Sequence, residues 1–210
     1  MKSFNTIAWS ASRCRREVEE LQRLLGSSRS LPERQTLLPF FRARPHLVAL
    51  CGWYSSALLK YDLVAFEYDL FGDFACDLVV GDSKRCAFGF IEIEAGSPNA
   101  LFVKRRPRSS PAWSPRFEQG FSQLVDWFCK LDDMEKTDEY AHRFGKRSIA
   151  YFGLMLIGRS ESLGPREQRR LQWRQEKVLV NSQKIHCLTY DQLCQDLLSR
   201  LEVIESGAMS

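Results

Sequence analysis

The 210-residue sequence lacks the features that mark several protein classes. Its apolar runs, of which residues 149–157 form the longest, are far shorter than the roughly 20 residues of a membrane-spanning helix. The first thirty residues contain no uninterrupted apolar segment, so we expect neither a secretory signal nor membrane association. The seven cysteines form no CxxC pair and the three histidines have no metal-ligand spacing. These absences argue against a zinc site and favour a reduced, cytoplasmic protein.

The sequence also has little net charge, with 30 basic and 26 acidic residues and a formal charge of +4. This balance excludes a polybasic nucleic-acid binder and an acidic disordered chain. It does not exclude nucleic-acid binding, because a small net charge can average over local acidic and basic segments. A hydrophobic content of 44% is sufficient for the core of one globular domain.

Hydrophobic periodicity predicts an α/β fold. Apolar residues at helical spacing predict helices over residues 15–25, 31–52 (bent at its prolines), 117–131, 165–178 and 190–204. Short β-branched and aromatic runs predict strands, the first three of them a meander, over residues 64–70, 74–80, 87–94, 149–157 and 184–188. Residues 95–115, rich in proline and serine, predict a long irregular loop of the kind that carries function.

Three carboxylates lie in two adjacent strands of the predicted meander. Asp77 belongs to the second strand, and Glu92 and Glu94 lie near the end of the third. Residues two apart in a strand share a face, so Glu92 and Glu94 point together while Ile91 and Ile93 fill the core. If the two strands form a hairpin, Asp77 lies across from the later half of the third strand, within a residue or two.

The pattern therefore predicts three converging carboxylates. Such a set repels itself unless a divalent cation binds, and oxygen ligands suit Mg²⁺ or Mn²⁺. The alternative interpretation makes Asp77 a turn cap and places Glu92 and Glu94 on a solvated face. Asp69 and Asp73 are further candidates, but their turn-like neighbourhood favours a role in a hairpin.

A basic segment follows the carboxylates directly. Residues 101–116 contain no acid and carry five cations, Lys104, Arg105, Arg106, Arg108 and Arg116. With Phe102 and Trp113 interleaved, this composition suits phosphate contacts and base stacking. The alternative is a solvated loop whose charge only maintains solubility.

The helix predicted at 165–178 is also basic, through Arg166, Arg169, Arg170, Arg174 and Lys177. There we expect a solvated face with Trp173 buried, and nucleic-acid contact is the alternative.

The order of Asp77, then Glu92-Ile93-Glu94, then a helix with Gln123 resembles the PD-(D/E)xK nuclease superfamily. Within it, the sequence is similar to the nuclease domain of Shedu-type antiphage defence proteins. Four segments carry this resemblance: residues 40–50, residues 77–102, residues 121–127, and Gly158-Arg159 followed by Thr189-Tyr190-Asp191.

The resemblance implies a restriction-endonuclease-like α/β core, with a central mixed sheet flanked by helices. It also implies a magnesium- or manganese-dependent nuclease that acts on DNA. Asp77 and Glu92 would bind the metal, with the Ile93 carbonyl a further ligand, and Gln123 would lie near the site. The predicted domain covers residues 31–204, between an N-terminal helical extension at 1–30 and a disordered tail at 205–210.

The sequence departs from the superfamily at Glu94, where a lysine is usual. A glutamate cannot donate hydrogen bonds to an attacking water, so Glu94 would act as a second metal ligand or a general base. Lys84 or Lys104 could supply the missing cation. The alternative is an impaired catalyst, namely a nuclease-fold module that binds nucleic acid or a protein without cleavage. A third alternative is a stand-alone domain that needs a homo-oligomer or a separate sensor.

Overall fold

The computed structural model describes residues 4–104 and 110–207 as an α/β protein built on a seven-stranded mixed sheet. The strands are β1 (Asn5–Thr6), β2 (Leu63–Leu70), β3 (Phe74–Asp82), β4 (Ala87–Ile93), β5 (Phe102–Val103), β6 (Ala112–Trp113), β7 (Ala150–Leu156), β8 (Leu179–Val180) and β9 (Gln183–Leu188). The helices are α1 (Ala11–Ser27), α2 (Leu38–Arg42), α3 (Pro45–Leu50), α4 (Pro115–Met134), α5 (Asp138–Phe144), α6 (Pro165–Lys177) and α7 (Tyr190–Gly207). The predicted fold class is confirmed.

The strand order in the sheet is β1-β2-β3-β4-β7-β9-β8, while β5 and β6 form a separate small ribbon. The predicted meander is present, because β2, β3 and β4 pair antiparallel in sequence. β7 then pairs parallel to β4, and β9 parallel to β7. The C-terminal ends of β4, β7 and β9 therefore meet at one edge of the sheet, the edge at which open α/β sheets bind ligands.

Helices cover both faces of the sheet and enclose two hydrophobic cores. On one face, α1, α3 and α7 pack on side chains such as Ile91, Ile93 and Leu154. On the other face, α4 and α5 pack on side chains such as Phe90 and Met155. The N-terminal helix α1 shares the first core with α7.

Several elements differ from the prediction. Helix α5 and the two-residue strands β1, β5, β6 and β8 were not predicted, because they are too short to show periodicity. The predicted tail at 205–210 is wrong for its first part, because α7 continues to Gly207. Glu205 is held there by Arg15, whose Nη2 lies 2.6 Å from Glu205 Oε2.

Candidate active site

A polar cavity of about 1050 Å³ opens at the C-terminal end of β4. Its walls come from β3, β4, the start of α4 and the segment that follows α1. The polar and charged side chains on these walls include Glu33, Asp77, Glu92, Glu94, Arg116, Gln119 and Gln123. The structure thus brings together the four residues that the sequence analysis named as catalytic, and adds Glu33, Arg116 and Gln119.

The alternation of β4 directs its acids into this cavity. Ile91 and Ile93 are fully buried in the core beneath α1 and α7. Glu92 and Glu94 therefore point to the opposite face, toward α4, as residues of even spacing in a strand must. They are only 6% and 5% exposed, so the alternative of a solvated face is wrong.

An irregularity in β2 lies opposite Asp77. The registered pairs on either side are Phe66 with Leu78 and Tyr68 with Cys76, and Glu67 between them has a positive φ of 48°. Such local distortions re-aim side chains in sheets. Asp77 turns toward β4, where its Oδ2 accepts a hydrogen bond of 2.8 Å from the Ile93 backbone N–H.

The half-buried Asp77 and the buried Glu92 form a carboxyl pair. Burial, followed by repulsion from Asp77, Glu94 and Glu33, raises the pKa of Glu92. Burial also raises the pKa of Asp77, although the Ile93 N–H lowers it in part. The physical cause is that two neighbouring carboxylates, each largely removed from solvent, do not both ionise readily without a compensating cation.

Glu94 is held differently, because it forms an ion pair. Arg116 Nη1 lies 2.8 Å from Glu94 Oε2 and 3.2 Å from Glu33 Oε2, so one guanidinium bridges two carboxylates. Burial raises the pKa of Glu94, and Arg116 opposes this shift. The three carboxylates converge on one cavity as expected, but they are held differently: Asp77 and Glu92 face each other, and Glu94 is paired with Arg116.

Hydrogen bonds to the Tyr190 side chain of α7 and to the backbone of β7 fix the end of β4. The Tyr190 hydroxyl, which is fully buried, donates hydrogen bonds to the carbonyls of Glu94 at 2.5 Å and Leu156 at 3.2 Å. The Glu94 N–H donates to the same Leu156 carbonyl at 2.8 Å. The segment Thr189-Tyr190-Asp191, which is part of the family resemblance, thus holds the backbone of Glu94 in place.

One face of α4 forms the wall opposite β4. Arg116, Gln119 and Gln123 line the cavity and recur at the three- to four-residue spacing of one helix face. Gly120 lies among them, and a Cβ there would lie 3.2 Å from Glu94 Cγ. A glycine at this position lets the helix approach the acid closely. Asp126, on the same helix, is exposed.

Glu33 had no local signal in the sequence. It enters the cavity because backbone hydrogen bonds in both directions join Leu31 and Gly96, at 3.1 and 3.0 Å. Arg116 was visible as one cation of the basic segment, but its position in the first turn of α4, beside Glu94, was not predicted. It places a cation beside Glu94, where Lys84 and Lys104 were the expected candidates.

Lys84 is too far from the carboxylates for that role, and the role of Lys104 stays a prediction. Lys84 lies in the turn before β4, at the opposite end of the seven-residue strand from Glu92, roughly 20 Å away. Lys104 is exposed just after β5. Arg105, Arg106 and Arg108 lie outside the described residues, so their predicted role in nucleic-acid binding stays a prediction.

The aromatic residues of the basic segment are packed against each other. Trp113 stacks on Phe102 and on Phe117 with centroid separations of 4.4 Å in both cases, so both faces of the indole are covered. Phe102 is buried. The predicted base stacking on these two rings is therefore wrong for this arrangement, because their faces are already occupied.

The residues of the cavity fit a magnesium ion. Within residues 4–104 and 110–207, no group of three or more His, Cys, Asp or Glu side chains is arranged as a metal cluster. Mg²⁺, however, is usually held by one or two carboxylates, with water and substrate phosphate completing its shell. Asp77 and Glu92 provide such a pair of hard oxygen ligands, and their mutual repulsion is what a divalent cation relieves.

Residues 30–194 match the family described as the C-terminal part of the Shedu protein SduA. The chain belongs to the Shedu family. The match includes Asp77, Glu92, Glu94 and Gln123, and it ends within α7. Membership of the Shedu family associates the chain with antiphage defence. A search among curated proteins gives no match. In the part of the chain that the structure describes, no helix is long and apolar enough to cross a bilayer.

Proposed function

We propose that this Shedu-family chain is a metal-dependent nuclease that hydrolyses phosphodiester bonds in DNA during antiphage defence. The observation that carries the proposal is the pair formed by the half-buried Asp77 and the buried Glu92, which face each other in an open polar cavity at the C-terminal end of β4. A protein gains nothing in stability from two mutually repelling buried carboxyls. Such a pair is typical of a site that binds a cation.

The chain's own groups have distinct roles in this proposal. Asp77 and Glu92 hold Mg²⁺, which when bound activates a water and stabilises charge on the phosphate. Glu94 orients the attacking water and accepts its proton. Arg116 holds the Glu94 carboxylate in place and supplies positive charge where the superfamily has lysine. Gln123 lies on the wall of the cavity, where its amide can donate to a phosphate oxygen.

A second candidate is a nuclease-fold module that binds nucleic acid without cleaving it. The observation that favours it is the Glu33–Arg116–Glu94 bridge, because an ion pair with Arg116 makes Glu94 a weaker base. The two candidates differ only in whether the bound strand is cut.

The decisive experiment measures cleavage of plasmid and single-stranded DNA with Mg²⁺, Mn²⁺ or a chelator. We expect metal-dependent cleavage by the wild type and a loss of about 1000-fold in Glu92→Gln and Asp77→Asn, because metal assistance contributes several kcal/mol to such reactions. Asp126→Asn removes an exposed carboxylate of α4 and is the matched control, expected to cleave as the wild type does.

Arg116 variants separate the two candidates. If Arg116 supplies charge to the reaction, Arg116→Ala loses cleavage and Arg116→Lys retains part of it. If the Arg116 bridge suppresses a latent base, Arg116→Ala gains cleavage. Cleavage that survives both Glu92→Gln and Asp77→Asn would contradict the site, and no cleavage by any variant, with DNA binding intact, would favour the binding module.

A further inference from the structure

The outer face of α6 carries an aromatic residue between cations. Arg166, Arg169, Trp173 and Lys177 follow each other at intervals of three, four and four residues, so they lie along one face of the helix. We call these four residues the α6 stripe. All four are exposed, and Trp173 is 61% exposed. The expectation of a buried tryptophan in this helix is therefore wrong.

The three cations of the stripe differ from the other two arginines of α6 in their contacts. Arg166, Arg169 and Lys177 form no ion pair with any residue of 4–104 or 110–207. The other two arginines of α6 behave differently: Arg174 pairs with Glu118 at 2.9 Å, and Arg170 Nη1 donates to the Pro111 carbonyl at 2.6 Å. The helix thus has an inner face that attaches it to the protein and an outer face whose cations are unpaired within the part of the chain that the structure describes.

The inner face attaches the helix beside the candidate active site. Glu118, the partner of Arg174, lies in the first turn of α4, two residues after Arg116. Arg170 and Arg174 also lie over the rings of Trp113 and Phe117, which precede and begin that helix. Through these contacts α6 is held against the helix that forms one wall of the cavity.

We propose that the α6 stripe binds single-stranded nucleic acid, with the three cations on phosphates and the Trp173 indole stacked on an unpaired base. Charge complementarity favours a polyanion, and the exposed ring favours one whose bases are accessible, because a base inside a duplex presents no free face. From Arg166 to Lys177 the stripe is about 16 Å long, enough for a few nucleotides. That the bound strand is then cleaved rests on the proposed function. Binding of the strand to the stripe can be measured without cleavage.

The test measures binding of fluorescein-labelled oligo(dT), oligo(U) and a blunt DNA duplex to the full chain by anisotropy, in chelator so that no metal-dependent cleavage occurs. We expect the triple variant Arg166→Ala, Arg169→Ala, Lys177→Ala to bind oligo(dT) at least tenfold more weakly. Its slope of log affinity against log salt should be shallower by about 2, since each phosphate contact on a single strand contributes about 0.7. The matched control replaces three exposed arginines of α1: Arg13, Arg16 and Arg23.

Trp173 provides the second arm. Trp173→Ala should weaken oligo(dT) binding about tenfold with an unchanged salt slope, because a stacking contact carries no charge. Trp173→Phe should restore part of the affinity. Leu59→Ala, at a similarly exposed apolar residue, is the control. The ratio of oligo(dT) to oligo(U) affinity distinguishes DNA from RNA as the strand.

Three outcomes would overturn the inference. The first is an equal loss of affinity in the α6 and α1 triple variants, which would indicate a general charge effect. The second is unchanged oligo(dT) binding in Trp173→Ala. The third is tighter binding of the duplex than of oligo(dT) with the same dependence on Trp173. If the chain binds oligo(dT) through the stripe but never cleaves, the proposed nuclease activity fails and the binding surface stands.

Discussion

The β3–β4 hairpin has a buried carboxylate at each end, and the two are held in opposite ways. At the turn, Asp82 is 1% exposed and accepts four backbone N–H bonds of 2.8–3.0 Å, from Leu59, Lys60, Lys84 and Arg85. At the other end, the equally buried Glu92 faces the Asp77 carboxyl.

The consequences for protonation differ in sign. Burial alone would raise the pKa of Asp82, but the four N–H donors outweigh it and the pKa is lowered. At Glu92, burial and the neighbouring carboxylates act together and the pKa is raised. A buried carboxylate whose oxygens accept hydrogen bonds from backbone N–H groups has a structural role. One whose oxygens face another acid in a cavity is suited to bind a cation.

The largest expected effect lies at the scaffold end. Asp82→Ala leaves four partly buried N–H groups without their acceptor and should lower the free energy of unfolding by about 3 kcal/mol, measured by urea denaturation at pH 7. Because the folded pKa of Asp82 is lowered, its stabilisation is present above the ordinary carboxyl pKa and lost as pH falls through the folded value. The variant should therefore lose less stability than the wild type on acidification.

Asp73→Ala, at an exposed carboxylate of the β2–β3 turn, serves as the control for that measurement. Its effect should stay below about 1 kcal/mol, since its ion pair with Lys130 lies near the surface. A loss at Asp82 no larger than the loss at Asp73 would contradict the comparison.

The site end should respond in the opposite direction. At pH 7 the raised pKa keeps Glu92 protonated in the folded state, whereas the unfolded Glu92 is ionised, so folding must take up a proton. Glu92→Gln removes this cost and should raise the free energy of unfolding at pH 7 by about 1–2 kcal/mol in chelator. Below its ordinary pKa, Glu92 is protonated in both states. Between that value and the raised folded pKa, the folded state binds more protons, so wild-type stability falls as pH rises.

Unfolding curves at several pH values between 5 and 8 measure this slope. It should be shallower in Glu92→Gln, and Mg²⁺ should stabilise the wild type more than the variant because the ion binds only the intact pair. Asp126→Asn, at an exposed acid, should leave both quantities unchanged. Destabilisation by Glu92→Gln at pH 7 would show that the pair is structural.

The sequence could predict the parts of the site that follow from strand geometry. The two-residue period of β4 places Glu92 opposite the buried Ile91 and Ile93, and the short β3–β4 turn brings Asp77 beside it. Contacts between distant segments could not be predicted in the same way. Glu33 reaches the cavity through the bridge between Leu31 and Gly96, which are 65 residues apart and have no shared periodicity.

The same limit explains the errors about aromatic and basic side chains. Trp113 and Trp173 both lie in basic segments, and residue type alone does not tell which ring is covered. In the fold, Trp113 is sandwiched between two phenylalanines, whereas Trp173 lies on the outer face of α6. Likewise, the pairing of Glu94 with Arg116 depends on where the first turn of α4 lies after the β5–β6 ribbon. Tertiary packing determines that position, and the local sequence does not reveal it.

The smallest expected change in stability concerns the support of Glu94. Tyr190→Phe removes the hydroxyl that donates to the Glu94 carbonyl and should cost about 1 kcal/mol of stability. Tyr54→Phe, which loses a 2.8 Å hydrogen bond to Asp196 outside the cavity, should cost about the same. Only Tyr190→Phe should lower kcat for DNA cleavage, by about tenfold with KM unchanged, because loosening the end of β4 displaces Glu94 from the attacking water. Equal kcat values for the two variants, corrected for the folded fraction, would show that Tyr190 stabilises the fold without positioning Glu94.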